Sequence, residues 1–208
     1  MIQPKIRNLT PSTFEEALKE ELFENFSIEE NPQQPITLSQ LTLNECYFKS
    51  IQFYDIQIKC VDLLDVIFEN CDLSNVSFED RSLHRVIFKN CRLMGVDFSN
   101  TSFQHIQIIN SLVNYANFSF AKIKDSLFDH SSLMETSFVE TTIMKTEFKK
   151  CNLSKSEFMH TNMPNTNIST CHIDQLHIDT SSLYKLKVNL YQAADLARLL
   201  GLEIVEEV

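Results

Sequence analysis

Every fifth residue from Leu38 to Val188 is apolar and mostly large. The series runs Leu38, Leu43, Phe48, Phe53, Ile58, Leu63 and continues to Ile173, Ile178, Leu183 and Val188 without one insertion. At 43% apolar residues overall, thirty-one such hits in a row have a chance frequency of about 10⁻¹¹. Twelve of the 16 phenylalanines fall in this register. A second register lies two residues earlier. Between positions 111 and 171 it holds only Ser, Ala, Thr and Cys, and nearer the N-terminus it is richer in Val and Ile. The repeating unit is therefore small, polar, large apolar, polar, polar.

A period of five suits neither regular element. Five residues advance about 140° on a helix, which scatters the large side chains around the axis. On a strand an odd step changes face each time. A coil that turns a corner every five residues keeps all of them inside. Four corners close a square turn of twenty residues, so the pattern predicts a parallel β-solenoid.

The twenty-residue periodicity agrees. Phe48, Phe68, Phe88, Phe128 and Phe148 fall on one side of the square, and Phe78, Phe98, Phe118, Phe138 and Phe158 on the opposite side. Leu63, Leu83, Ile123 and Ile143 define a third side; Leu73, Leu93, Leu133 and Leu153 define the fourth. Rings stacked in successive coils are expected to form offset aromatic ladders.

An open solenoid exposes its core at both ends and needs caps. Residues 1–35 are expected to supply an N-terminal helical cap. Thr13-Phe14-Glu15-Glu16 has capping-box form, and Phe14, Leu18, Leu22 and Phe26 recur every four residues, which predicts a helix to about Phe26. Residues 36–188 form the array. In residues 189–208, Gln192 to Leu200 predicts a short apolar helix stopped by Gly201, followed by an extended tail.

Composition narrows the function classes. Two glycines in 208 residues exclude the Gly-rich phosphate loops of nucleotide-binding folds. The net charge of −10 argues against direct nucleic-acid or anionic-membrane binding. No apolar run reaches the ~18 residues of a membrane span, and the start lacks signal-peptide character, so a cytoplasmic protein is expected. Five of the six cysteines occupy the small inward register, Cys60 excepted, and predict reduced core thiols. The six histidines all fall at outward positions and are expected to be solvated. No catalytic triad or metal-ligand spacing is present, so no enzyme activity, catalytic residue, metal or cofactor is expected. Arg81 is the only charge in the inward small register within the array, and predicts a local irregularity in which its guanidinium reaches Asp62 or solvent.

Tyr115-Ala116-Asn117-Phe118 and Cys71-Asp72-Leu73 resemble the A(D/N)LXX consensus of the pentapeptide-repeat family. The resemblance covers about residues 36–188. It implies an all-β, right-handed quadrilateral parallel β-helix, with small helical caps at both ends. The C-terminal stretch from Gln192 to Ile204 is similar to that of the Qnr/MfpA-like gyrase-interacting members, where it forms a tail-to-tail dimer interface. That implies a homodimer made through Leu196, Leu199, Leu200 and Ile204. Such members imitate DNA toward type II topoisomerases, DNA gyrase or topoisomerase IV, and some confer quinolone resistance. The array here lacks the loops that interrupt the Gram-negative Qnr coils, which places topoisomerase binding ahead of quinolone protection.

Sorted by side, the charges are uneven. The side centred on Phe78 to Phe158 carries Glu79, Asp80, Asp97, Glu140, Glu157 and Asp179 against Lys59. These six are the candidate topoisomerase-binding residues. The alternative is a structural scaffold or interaction adaptor of another partner, for which outward Ile67, Ile87 and Leu127, or Met94 and Met134, would supply apolar contacts.

Overall fold

A computed structural model describes residues 1–20 and 23–205. The chain winds into a right-handed, four-sided parallel β-solenoid of about 8 turns. The elements open with β1 (Thr10–Pro11), α1 (Phe14–Glu20), β2 (Phe26–Ile28), β3 (Ile36–Lys49), β4 (Ile56–Glu69) and β5 (Ser82–Lys89). Short strands of two or three residues follow to Ile178, and α2 (Leu190–Ala197) closes the chain. From β3 onward, each rung pairs with the residue twenty positions on. Leu43 faces Leu63, Leu63 faces Leu83, and the same step still holds at Asn167 and Lys187. A constant offset of twenty means that no coil carries an insertion.

The corners explain why five residues suffice for a side. The residue two beyond each large apolar position repeatedly adopts a left-handed backbone: Asn70, Asn75, Asp80, Arg85, Asn90, Gly95, Asn100 and His105, with φ between 53° and 64°, continue the series. A single left-handed residue redirects the chain without a loop. Asn, Asp and His tolerate that conformation better than other side chains, which accounts for their abundance there. Gly95 is the only glycine at such a corner.

The large register fills the interior. All its members are buried except Ile58, Leu183 and Val188, which are partly covered; the last two lie in the final coil, where one neighbouring rung is missing. Phe98, Phe118, Phe138 and Phe158 stack at centroid spacings of 5.0, 4.9 and 4.6 Å. Phe128 and Phe148 stack at 4.7 Å and meet Phe138 edge-on at 6.4 and 6.1 Å. Two ladders thus interlock across the square.

The small register has a polar task as well as a steric one. Thr101, Thr141 and Thr161 donate to the carbonyls of Phe78, Phe118 and Phe138 at 2.6–2.7 Å. The step is 23 residues in each case, and Cys71, Cys91 and Cys171 repeat it at 3.4–3.5 Å. A buried hydroxyl without a partner would cost about 1–3 kcal/mol, which these contacts avoid; Ser126 and Thr146 instead donate to the carbonyl two residues back, and Thr166 Oγ1 is buried without a partner. Burial pushes the Cys46 thiol up to about 12. Contact with the neighbouring thiol, then burial, also raises Cys91 and Cys151. Cys60 is exposed.

Arg81 turns partly outward, and its Nε donates to the Glu79 carbonyl at 3.1 Å. It does not bond Asp62, whose carboxylate instead accepts the Ser82 N–H at 2.7 Å. Of the two expected outlets, Asp62 or solvent, the guanidinium takes the solvent side and adds a backbone carbonyl as partner.

The two ends differ from expectation in extent. Thr13 and Glu16 do form reciprocal capping bonds of 3.1 and 3.2 Å. The described helix covers Phe14–Glu20, however, and Phe26 opens β2, a rung that pairs with Tyr47 and Phe48. Leu22 lies outside the described residues. Phe26 meets Phe48 edge-on at 5.8 Å and Phe14 stacks on Phe48 at 5.9 Å, so the four-residue spacing here reflects two elements converging on one ring. At the other end Asn189 caps α2 in a reciprocal pair with Gln192. The Gln192 Nε2 amide also donates to the Ile168 and Cys171 carbonyls at 3.0 and 2.8 Å, closing an otherwise open edge. Gly201 follows with φ 74°.

Candidate interaction surfaces

The six carboxylates lie on the side whose interior is the Phe78–Phe158 ladder. Their sequence positions span five coil steps, about 24 Å at the inter-strand spacing. That is about one charge per 4–5 Å, near the 3.4 Å spacing of charges along one strand of duplex DNA. Glu79, Asp80, Glu140 and Glu157 are exposed. Asp97 and Asp179 are half-buried and engaged locally. Asp97 accepts the Ser99 N–H at 3.0 Å and the Asn117 amide at 3.1 Å. Asp179 accepts the Ser181 and Ser182 hydroxyls and the His160 N–H. Burial works against the Asp179 charge, but these donors outweigh it and hold the carboxyl well below its usual range. The stripe is also interrupted. The coil at Asn117, Ser119 and Phe120 contributes no carboxylate, and the Phe120 ring is 51% exposed there.

At the C-terminal end Leu196 turns into the chain's own core, 9% exposed, so it is already used within one copy. Leu199, Leu200 and Ile204 are exposed. An apolar depression of about 230 Å³ beside them is lined by Leu183, Leu186, Val188, Ala193 and Leu200, among others. Leu190 and Tyr191, 82% and 83% exposed, extend this apolar end. They open α2, whose start falls between the fifth-residue register and the apolar run, so neither pattern singled them out.

The outward apolar residues Ile67, Ile87 and Leu127 are half-buried. Among the histidines, His105 departs from the expected solvation: it is buried at 9% exposure, because the chain's first residues cross over its corner. No helix of the described residues is long and apolar enough to cross a membrane.

Comparison with known proteins settles the repeat type. The family model for the pentapeptide repeat region matches residues 61–138. Residues 61–138 are thus a pentapeptide repeat region. No curated protein sequence matches the chain significantly. Among solved structures, the pentapeptide-repeat solenoid is similar to QnrB1, described as a plasmid-mediated fluoroquinolone resistance protein. One trypsin-treated form matches with a TM-score of 0.57 at 23% identity, covering 88% of this chain and 89% of that one. The full-length form matches with a TM-score of 0.55 at 23% identity, covering 86% and 89%. A second trypsin-treated form gives a TM-score of 0.51 at 25% identity, covering 88% and 89%. These likenesses establish the fold of the pentapeptide-repeat array.

Proposed function

We propose that this pentapeptide-repeat rod is a non-enzymatic cytoplasmic protein that binds a type II topoisomerase, DNA gyrase or topoisomerase IV, in place of DNA. The observation that carries the reading is the acidic side, with six carboxylates against Lys59 along about five coil steps. In this reading the carboxylates meet the enzyme's cationic DNA-binding surface. Leu199, Leu200 and Ile204 pair two rods tail to tail and double the stripe, since a closed two-fold interface is the common symmetric solution. Topoisomerase binding stands ahead of quinolone protection in this reading, since the constant twenty-residue offset leaves no loop interrupting the coils.

The test is a gyrase supercoiling assay with purified protein, with and without a quinolone. Wild-type protein should alter supercoiling at micromolar concentration. The effect should weaken steeply with salt, because a Debye length of ~8–10 Å screens the attraction. Reversing Glu79, Glu140 and Glu157 to Lys, all three exposed, should abolish it with the fold intact. Reversing charges on the Leu63/Leu83 side should matter little. If wild-type protein leaves supercoiling unchanged at tens of micromolar, the scaffold reading replaces this one. Exposed Phe120, seated in the gap of the acidic stripe, is the observation that favours that second reading.

A further inference from the structure

The corner residues of this solenoid are solvent-facing along three of its four edges. The fourth edge is different. Asp65 is 3% exposed and His105 9%, and the Arg85 side chain between them is 13% exposed. What covers them is the N-terminal arm, residues 1–7. The Lys5 N–H donates to Asp65 Oδ1 at 2.8 Å, and the Gln107 Nε2 amide donates to Gln3 Oε1 at 2.9 Å. Asp65 and Gln107 stand about two coils apart, roughly 10 Å along the axis. The arm therefore runs lengthwise across rungs. Among the described residues these two hydrogen bonds are its links to the array.

We propose that residues 1–7 are a strap that proton uptake at His84 beneath it releases, uncovering the strip from Asp65 to Gln107.

Asp65 already accepts Arg85 through both oxygens, and the Lys5 N–H as well. It has no good site left for a further cation. The two His84 ring nitrogens lie 3.3 and 3.1 Å from Arg85 Nη1. A guanidinium can only donate, and a neutral imidazole accepts at one nitrogen, so this contact favours an unprotonated ring over two cations held together. The His84 and His105 rings stack at 5.7 Å, and His105 Nδ1 is buried without a hydrogen-bond partner. Charging the His84 ring would set a cation against Arg85.

The groups that face His84 are Arg85, His105, Asp65 and, from the arm, Lys5. Burial first, then Arg85 and His105, push the His84 ring below its ordinary value; Lys5 adds to this and Asp65 opposes it. Glu45 and Asp125 bracket the same corner column, and neither makes a hydrogen bond to the imidazoles among the described residues. The sign follows. A docked arm binds fewer protons than a released one, so docking is favoured above the ordinary histidine value of about 6.5 and weakens as pH falls through it. The proposal is independent of the acidic side.

The test is amide exchange at residues 3–7 of the full chain at pH 7.5 and 5.5, corrected for intrinsic rates. Arm protection should drop about tenfold between the two, with core amides such as Phe118 unchanged. A variant with both His84→Gln and His105→Gln should keep the arm docked at pH 5.5. Lys5→Pro, which removes the donor to Asp65, should free the arm at both pH values and let His84 titrate closer to its ordinary value by NMR. Arm protection that ignores pH in the wild type would overturn the proposal. So would the same pH dependence in the double variant, or a His84 titration identical in wild type and Lys5→Pro. Core-amide protection reports whether each variant folds, and the wild-type pH series stands without them.

Discussion

Replacing Phe138 tests what holds the rod together. Its side chain is fully buried. It stacks on Phe118 at 4.9 Å and Phe158 at 4.6 Å, and meets Phe128 and Phe148 edge-on. Phe138→Ala removes the ring and leaves a cavity walled by four other rings and the rungs above and below, which can collapse little. A cost of about 4 kcal/mol follows, within the 3–5 kcal/mol usual for buried Phe→Ala. Phe138→Leu keeps most of the buried area but deletes both stacked contacts, each worth about 0.5–1.5 kcal/mol beyond area. It should cost about 2 kcal/mol. Urea unfolding followed by far-ultraviolet circular dichroism measures both. Because contacts in a solenoid run only between neighbouring coils, the Ala variant should also broaden the transition as the halves lose cooperativity. A Phe138→Ala cost under about 2 kcal/mol would refute the interlocked-ladder account. A Leu variant as damaging as the Ala variant would refute the division between cavity and stacking.

Four further outcomes are expected. Leu199→Asp with Leu200→Asp should yield folded monomers by light scattering where wild type is dimeric, since both side chains are exposed in one copy; a wild type already monomeric at micromolar concentration would remove the dimer. Asp65→Asn should cost about 3 kcal/mol by leaving the Arg85 charge without its partner. Although burial raises Asp65, the Arg85 hydrogen bonds outweigh it and hold the carboxyl below its usual range, so this stability is present above the ordinary carboxylate value and is lost as acid takes pH down through the depressed one. Gly95→Ala should destabilise by about 1 kcal/mol, because φ is +64° and the new Cβ would sit 2.7 Å from Asn75 Oδ1; Lys150→Asn, at a left-handed corner with φ 48°, should be neutral or stabilising in the same melts. Native protein should take up one thiol reagent, at Cys60, and five more only on unfolding, as mass spectrometry would show.

The five-residue register carried the fold because it is a local instruction repeated along the chain. Each unit states which side chain is large and inward and which is small. In a parallel solenoid the same statement applies to every coil, so the interior of the Phe ladders and the burial of Cys71, Cys91, Cys151 and Cys171 were legible without long-range information. The unequal sides were legible for the same reason, since a fixed twenty-residue turn assigns each carboxylate to a side.

What the tertiary structure decided was every case where distant segments meet or where backbone supplies a partner. The 23-residue hydrogen bond from an inward hydroxyl or thiol to a carbonyl exists only once coils are stacked. The Glu79 carbonyl that receives Arg81, and the donors that engage Asp97 and Asp179, belong to the folded backbone. Phe26 had a helical spacing from Phe14, yet Phe48 lies between them in space and takes both rings. Leu196 looked like interface and became core, because the last coil left a place for it. The arm over Asp65, Arg85 and His105 follows no repeat at all. Its course along the rod is set by Asp65 Oδ1, which accepts the Lys5 N–H beside Arg85, and by an amide at Gln107, groups that periodicity labels only as outward.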